Sequence, residues 1–118
     1  MASRRGTVSG TAARIEDPIL ARIVDRLVAT YRPERIYLFG SRARTGASDD
    51  SDYDLMVIVP DTTPPPLRRS ARAYEALWDL HTAVDVLVWT REAFEQRLHL
   101  RASLPSTVTR DGRLVYSA

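Results

Sequence analysis

The sequence has 118 residues, 44% hydrophobic and 27% charged, with a formal net charge of +2. These values fit one globular domain and give no basic excess that would argue for nucleic-acid binding. There is no cysteine, which excludes a disulfide framework and a thiolate metal site, and no apolar run approaches the length of a bilayer span. All 17 basic residues are arginine, so lysine nucleophiles and Schiff-base chemistry are excluded as well. Genomic base composition explains that bias more plainly than a need for guanidinium forks.

Residues 1–16 (MASRRGTVSGTAARIE) are small, polar and basic and read as a flexible N-terminal tail, leaving 17–118 as a single domain. No apolar segment follows Arg4-Arg5 to make a twin-arginine signal, and the cytoplasm is the expected location. Asp17-Pro18 is a helix start, with aspartate as the cap and proline in the first turn. Ile19, Leu20, Ile23, Val24, Leu27 and Val28 then form one apolar stripe, and Arg32-Pro33 ends the helix. Ile36-Tyr37-Leu38-Phe39 is a short buried strand, broken by Gly40-Ser41 and a polar loop that carries Arg42 and Arg44. Asp52-Tyr53-Asp54 runs directly into Leu55–Val59, a second buried strand.

Pro60 to Pro66 is a stiff loop. From Leu67 to about His81, the residues Leu67, Ala71, Tyr74, Leu77 and Trp78 recur at helical spacing. The third strand is Val84–Trp89, with Asp85 near its start, and both Trp78 and Trp89 are expected in the core. Thr90 caps a further helix bearing Phe94, Leu98 and Leu100. A helical turn or loop from Leu104 leads to an Asp111-Gly112 turn and a last short strand, Leu114–Tyr116. This order predicts an α/β (α+β) domain, a small mixed sheet with helices packed on one side of it.

Side chains two apart on a strand share a face, so Asp52 and Asp54 project together. Two neighbouring carboxylates repel unless a cation lies between them. Gly40 lets backbone approach a ligand closely, and Ser41 offers a hydroxyl and an amide where phosphate is commonly held. Phosphate cradle and carboxylate pair together imply a metal-bound nucleoside triphosphate. Asp85, on an adjacent strand, is a natural third carboxylate for two-metal phosphoryl chemistry. Arg42 and Arg44 read either as stabilisers of phosphate charge or as solvated loop residues. His81 and His99 are not spaced to join these acids and read as structural or surface residues.

The spacing Gly40-Ser41-x10-Asp52-x-Asp54 resembles the signature of the DNA polymerase β type nucleotidyltransferase superfamily, and most closely its minimal, single-domain branch. The resemblance covers about Asp17 to Tyr116 and implies the polymerase β-like palm fold. It further implies two Mg²⁺ ions on Asp52, Asp54 and Asp85, with Gly40 and Ser41 on the β- and γ-phosphates of ATP. Members of that branch are typically antitoxins, thought to transfer AMP to a tyrosine hydroxyl of a HEPN ribonuclease toxin within a hetero-oligomer. No direct nucleic-acid binding is expected. Once a palm is built few residues remain for an acceptor domain, so the acceptor is expected from another chain. Two departures stand in the loop: Gly46 falls one residue later than in the common Ala-Arg-Gly form, and Asp49 and Asp50 add two acids. The alternatives are an antitoxin that acts by binding alone, and a nucleotidyltransferase for a small molecule or an RNA end.

Overall fold

Asp17 and Pro18 open the first helix as the sequence predicts. In the computed structural model, which describes residues 11–12, 15–43 and 52–118, helix α1 spans Pro18–Tyr31. The Asp17 carboxylate accepts the backbone N–H groups of Ile19 and Leu20 at 2.9 and 3.3 Å. These are donors that a first helical turn leaves without intrahelical partners. Arg32, in the left-handed region at φ 49°, closes the helix by donating its N–H to the Val28 carbonyl, and Pro33 follows where a helix cannot continue.

Five strands form one mixed sheet: β1 Thr11–Ala12, β2 Arg35–Phe39, β3 Tyr53–Val59, β4 Val84–Thr90 and β5 Arg113–Ser117, in the order β1-β5-β2-β3-β4. Strands β2 and β3 pair antiparallel, while β3 and β4 are parallel and in unbroken register from Tyr53↔Val84 to Val59↔Thr90. The parallel step requires a crossover, which α2 (Ala71–Leu77) provides. Strand β5 returns beside β2, and Thr11–Ala12, inside the stretch read as a tail, pairs with Ser117 and Tyr116 at the sheet edge. No helix among the described residues is long and apolar enough to cross a membrane.

The expectation of helices on one side of the sheet is corrected: they lie on both. Helices α1 and α2 cover the face carrying Ile36, Leu38, Leu55, Val57, Val86 and Val115. On the other face Tyr37, Met56 and Ile58 pack against Phe94 of α3 (Arg91–Gln96) and Val108 of α4 (Leu104–Asp111). Tyr37 and Phe94 stack with their ring centroids 5.9 Å apart. The physical reason is visible in β3, whose Leu55–Val59 run is apolar without alternation and completely buried. A strand that is apolar at every position needs cover on both faces.

The helix expected over Leu67 to His81 is also corrected. It is broken into a 3-10 turn at Pro65–Arg68, the short α2, and a second 3-10 turn at Trp78–Leu80. Within α2 the buried line is Ala73 and Leu77, so the neighbouring line of Tyr74 and Trp78, four residues apart, faces outward, and Trp78, expected in the core, is 79% exposed. Trp89 is partly buried against the second core. Thr90 caps α3 as predicted, its hydroxyl accepting the Ala93 N–H at 3.2 Å, but α3 ends at Gln96 and leaves Leu98 and Leu100 exposed beyond it.

Because Phe94 is fully buried, Phe94→Ala is expected to lower the unfolding free energy by about 3–5 kcal/mol in urea titrations. A loss below about 1 kcal/mol would contradict a second core on that face.

Candidate active site

The end of β2 and the starts of β3 and β4 lie side by side. Phe39 is opposite Asp54, and Asp54 is opposite Asp85. Residues in register on neighbouring strands present their side chains to the same face, so the two carboxylates stand together on the face that carries Met56 and Ile58. That face is covered by α3 and α4 farther along the sheet, whereas Asp85 and Leu87 are exposed. The exposed Asp52 precedes the strand by one residue. Its charge reaches Asp54, whose carboxyl is pushed above the ordinary value first by burial, then by Asp85, then by Asp52. Burial and like charge both disfavour the ionised carboxylate.

Gly40 is pressed against this pair. Its φ is +74°, and a Cβ there would run into Asp54 Oδ2 and come within 3.1 Å of Asp54 Cγ. Glycine is required twice over, for the left-handed backbone and for the space. Behind it Ser41–Ala43 form a 3-10 turn, with the Ala43 N–H donating to the Gly40 carbonyl at 3.2 Å.

Arg42, read from sequence as a stabiliser of phosphate charge or a solvated loop residue, lies against two residues of the fold. Its guanidinium lies 4.1 Å from the centre of the Tyr53 ring and 3.8 Å from Asp17 Oδ2. Tyr53 alternates with Asp54, so its buried ring belongs to the face covered by α1, and its hydroxyl donates to Asp17 Oδ2 at 2.5 Å. Burial works to raise the Asp17 pKa. The Tyr53 hydroxyl, the Leu20 and Ile19 N–H groups and the Arg42 guanidinium outweigh it and hold the carboxyl below its ordinary value. Asp17, legible only as a helix cap, thus ties the start of α1 to the start of β3 and to the turn after Gly40. Arg44, Asp49 and Asp50 lie outside the described residues.

Asp85 has one neighbour that sequence reading missed. The Tyr74 hydroxyl, on α2, lies 3.5 Å from Asp85 Oδ1. Tyr74 was legible as part of an apolar stripe, and no local pattern places α2 beside the start of β4. His81 and His99 are exposed, in line with a surface role.

No group of three His, Cys, Asp or Glu side chains among the described residues is gathered tightly enough to hold a metal ion by itself. The donor set nevertheless fits magnesium. That ion is usually held by one or two carboxylates and takes its remaining oxygens from water and substrate phosphates. Asp54 and Asp85 in register supply two carboxylates, with Asp52 adjacent.

Comparison with known structures gives likenesses at the level of the fold. A crystal structure described as a toxin–antitoxin with AMP-PNP matches at a TM-score of 0.54 and 23% identity, over 83% of this chain and 73% of that one. A mutant of the toxin–antitoxin MntA-HpeT matches at 0.54 and 20%, with the same coverages. The solution structure of BolA1 from Mus musculus matches at 0.50 and 18%, over 89% of both chains. None of the curated proteins compared with the chain matches it. The family model for the nucleotidyltransferase domain matches residues 19–115. The match runs from α1 to β5 and takes in Gly40-Ser41, the Asp52/Asp54 pair and Asp85, and the chain belongs to the nucleotidyltransferase domain family.

Proposed function

We propose that this nucleotidyltransferase transfers AMP from ATP to a hydroxyl of a partner protein, a tyrosine of a HEPN ribonuclease toxin, and so acts as its antitoxin. The observation that carries the catalytic reading is the in-register Asp54–Asp85 pair with Gly40 packed against Asp54. The partner reading is supported by the sequence resemblance and by the fold likeness to proteins described as toxin–antitoxin pairs, one of them with an ATP analogue.

Asp52, Asp54 and Asp85 would hold Mg²⁺, which when bound supplies positive charge to the triphosphate and lowers the pKa of the acceptor hydroxyl. The backbone at Gly40 and Ser41 would bind the β- and γ-phosphates, which the missing Cβ of Gly40 lets approach. Arg44 would meet the charge that develops on the phosphates. Asp85, exposed at the site's rim, would take the acceptor's proton. Arg42 has the role of a positioning residue, fixing the turn after Gly40 through Tyr53 and Asp17. A second reading, an antitoxin that works by binding alone, is favoured by one observation: the three carboxylates are not gathered into a ready metal cage.

The two readings separate when the protein is incubated with Mg²⁺, α-labelled ATP and the HEPN partner. Label is expected on the partner, and Asp54→Asn is expected to reduce its rate of appearance by about 100-fold or more, the loss typical of one preorganised charged or polar group. A stable complex with no transfer of label would leave the binding antitoxin standing.

The electrostatics of Asp54 can be tested without a partner. Its carboxyl is raised in the folded protein, so folding favours the protonated form. The ionised form costs stability above the folded pKa, and that cost is lifted as pH falls through it. Asp54→Asn is therefore expected to raise Tm at neutral pH in metal-free buffer, with the gain shrinking toward zero as pH falls through and below the carboxylate range. Mg²⁺ is expected to raise the Tm of the parent protein at neutral pH more than that of Asp54→Asn. Equal shifts would exclude Asp54 as a metal ligand.

A further inference from the structure

The Asp85 carboxylate, assigned above to take the acceptor's proton, already has a phenol beside it. Tyr74 Oη lies 3.5 Å from Asp85 Oδ1, and Tyr74 is 44% exposed. The ring forms one wall of an open cleft of about 540 Å³, with Leu77, Trp78, His81 and Val84 among its other lining residues. Tyr74 also stands out within its own helix. Ala73 and Leu77 of α2 are buried, while Tyr74 leaves the core and reaches the edge strand β4. The contact is longer than the usual O–H···O distance, and the cleft leaves the ring exposed to solvent on one side. The chemistry of the neighbouring carboxylates gives its hydroxyl a use.

We propose that Tyr74 is itself an acceptor: in the absence of a partner the protein transfers AMP from ATP to the Tyr74 hydroxyl within the same molecule. The inference rests on the nucleotidyltransferase reading of Asp54 and Asp85. Tyr74 Oη attacks the α-phosphorus of ATP and its proton passes to the Asp85 carboxylate. A P–O bond forms to the phenol oxygen, and the bond to the bridging oxygen of the β-phosphate breaks. Pyrophosphate leaves with that electron pair, and Tyr74 becomes a tyrosyl AMP phosphodiester. The product places an additional negative charge beside Asp85. An acceptor tyrosine from a partner would have to take the place of the Tyr74 hydroxyl at Asp85, so self-modification and transfer to the partner compete.

The test uses the whole protein with Mg²⁺ and α-labelled ATP and no partner. The expected result is label mapped by peptide mass spectrometry to Tyr74, absent from Tyr74→Phe, appearing at a first-order rate that does not change with protein concentration. Label mapped to another residue, label retained by Tyr74→Phe, or a rate rising in proportion to protein concentration would overturn the proposal. Unlabelled Tyr74 overturns it too, and the partner experiment on the same preparation separates the causes. If the partner is labelled and Tyr74 is not, self-modification alone fails. If neither is labelled, the transferase reading fails with it. A nucleotide-free readout checks the contact itself: the Tyr74 ring resonances are expected to shift in Asp85→Asn, and unchanged resonances would remove the proposal's structural basis.

Discussion

Two like charges held on adjacent strands are the feature around which this domain is built. Asp54 and Asp85 face the same way because β3 and β4 run parallel without a register break. The carboxylates repel each other, and the Asp54 carboxyl is raised above its ordinary value first by its burial and then by that repulsion. The apolar remainder of β3 opposes it. Leu55 to Val59 are all buried between two layers of helices, and that burial holds an unfavourable pair in place. Gly40 completes the arrangement, since no other residue fits the space beside Asp54 at that φ.

The loop side of the site is fixed by a different set of forces. Asp17 caps α1, accepts the Tyr53 hydroxyl and lies near Arg42, whose guanidinium covers the Tyr53 ring. One carboxylate therefore sets the relation of a helix start, a strand start and the turn that presents Ser41. The same stacking recurs at Arg35 on Phe94, Arg72 on Tyr31 and Arg97 on Trp89. A planar guanidinium lies flat on a ring in a way an ammonium cannot, which gives the lysine-free composition a structural use whatever its origin.

Much of the fold was legible because local chemistry and tertiary packing agree. Asp17-Pro18 reads as a cap and is one, Thr90 likewise, and the β2 and β3 strands fall on the apolar runs that announce them. The site was legible in its spacing: a glycine, a serine and two aspartates whose separation matters more than any one of them. The residues beyond that pattern depend on contacts distant in sequence. The second core was implied by the unbroken Leu55–Val59 run, but Phe94 and Val108 become its cover only once the chain has folded back. Trp78 lies outside the core because α2 turns Ala73 and Leu77 inward and the adjacent Tyr74/Trp78 line outward, a choice between neighbouring apolar lines that spacing alone does not reveal. The approach of Tyr74 to Asp85 spans eleven residues and two elements, and no period in the sequence encodes it.

The parallel pairing of β3 with β4 separates two kinds of tolerance in this chain. The loop of residues 60–64 that opens the crossover, between β3 and the turn before α2, could lengthen or shorten without disturbing the site, because loop length enters stability only slowly. The start of β4 has no such freedom. The Tyr53 N–H donates to the Ala83 carbonyl at 3.1 Å and sets the count from which Asp85 faces Asp54. One residue gained or lost between Ala83 and Asp85 would turn the carboxylate to the α1 face, among Leu55, Val57 and Val86. Parity, not distance along the chain, is what holds the carboxylate pair together.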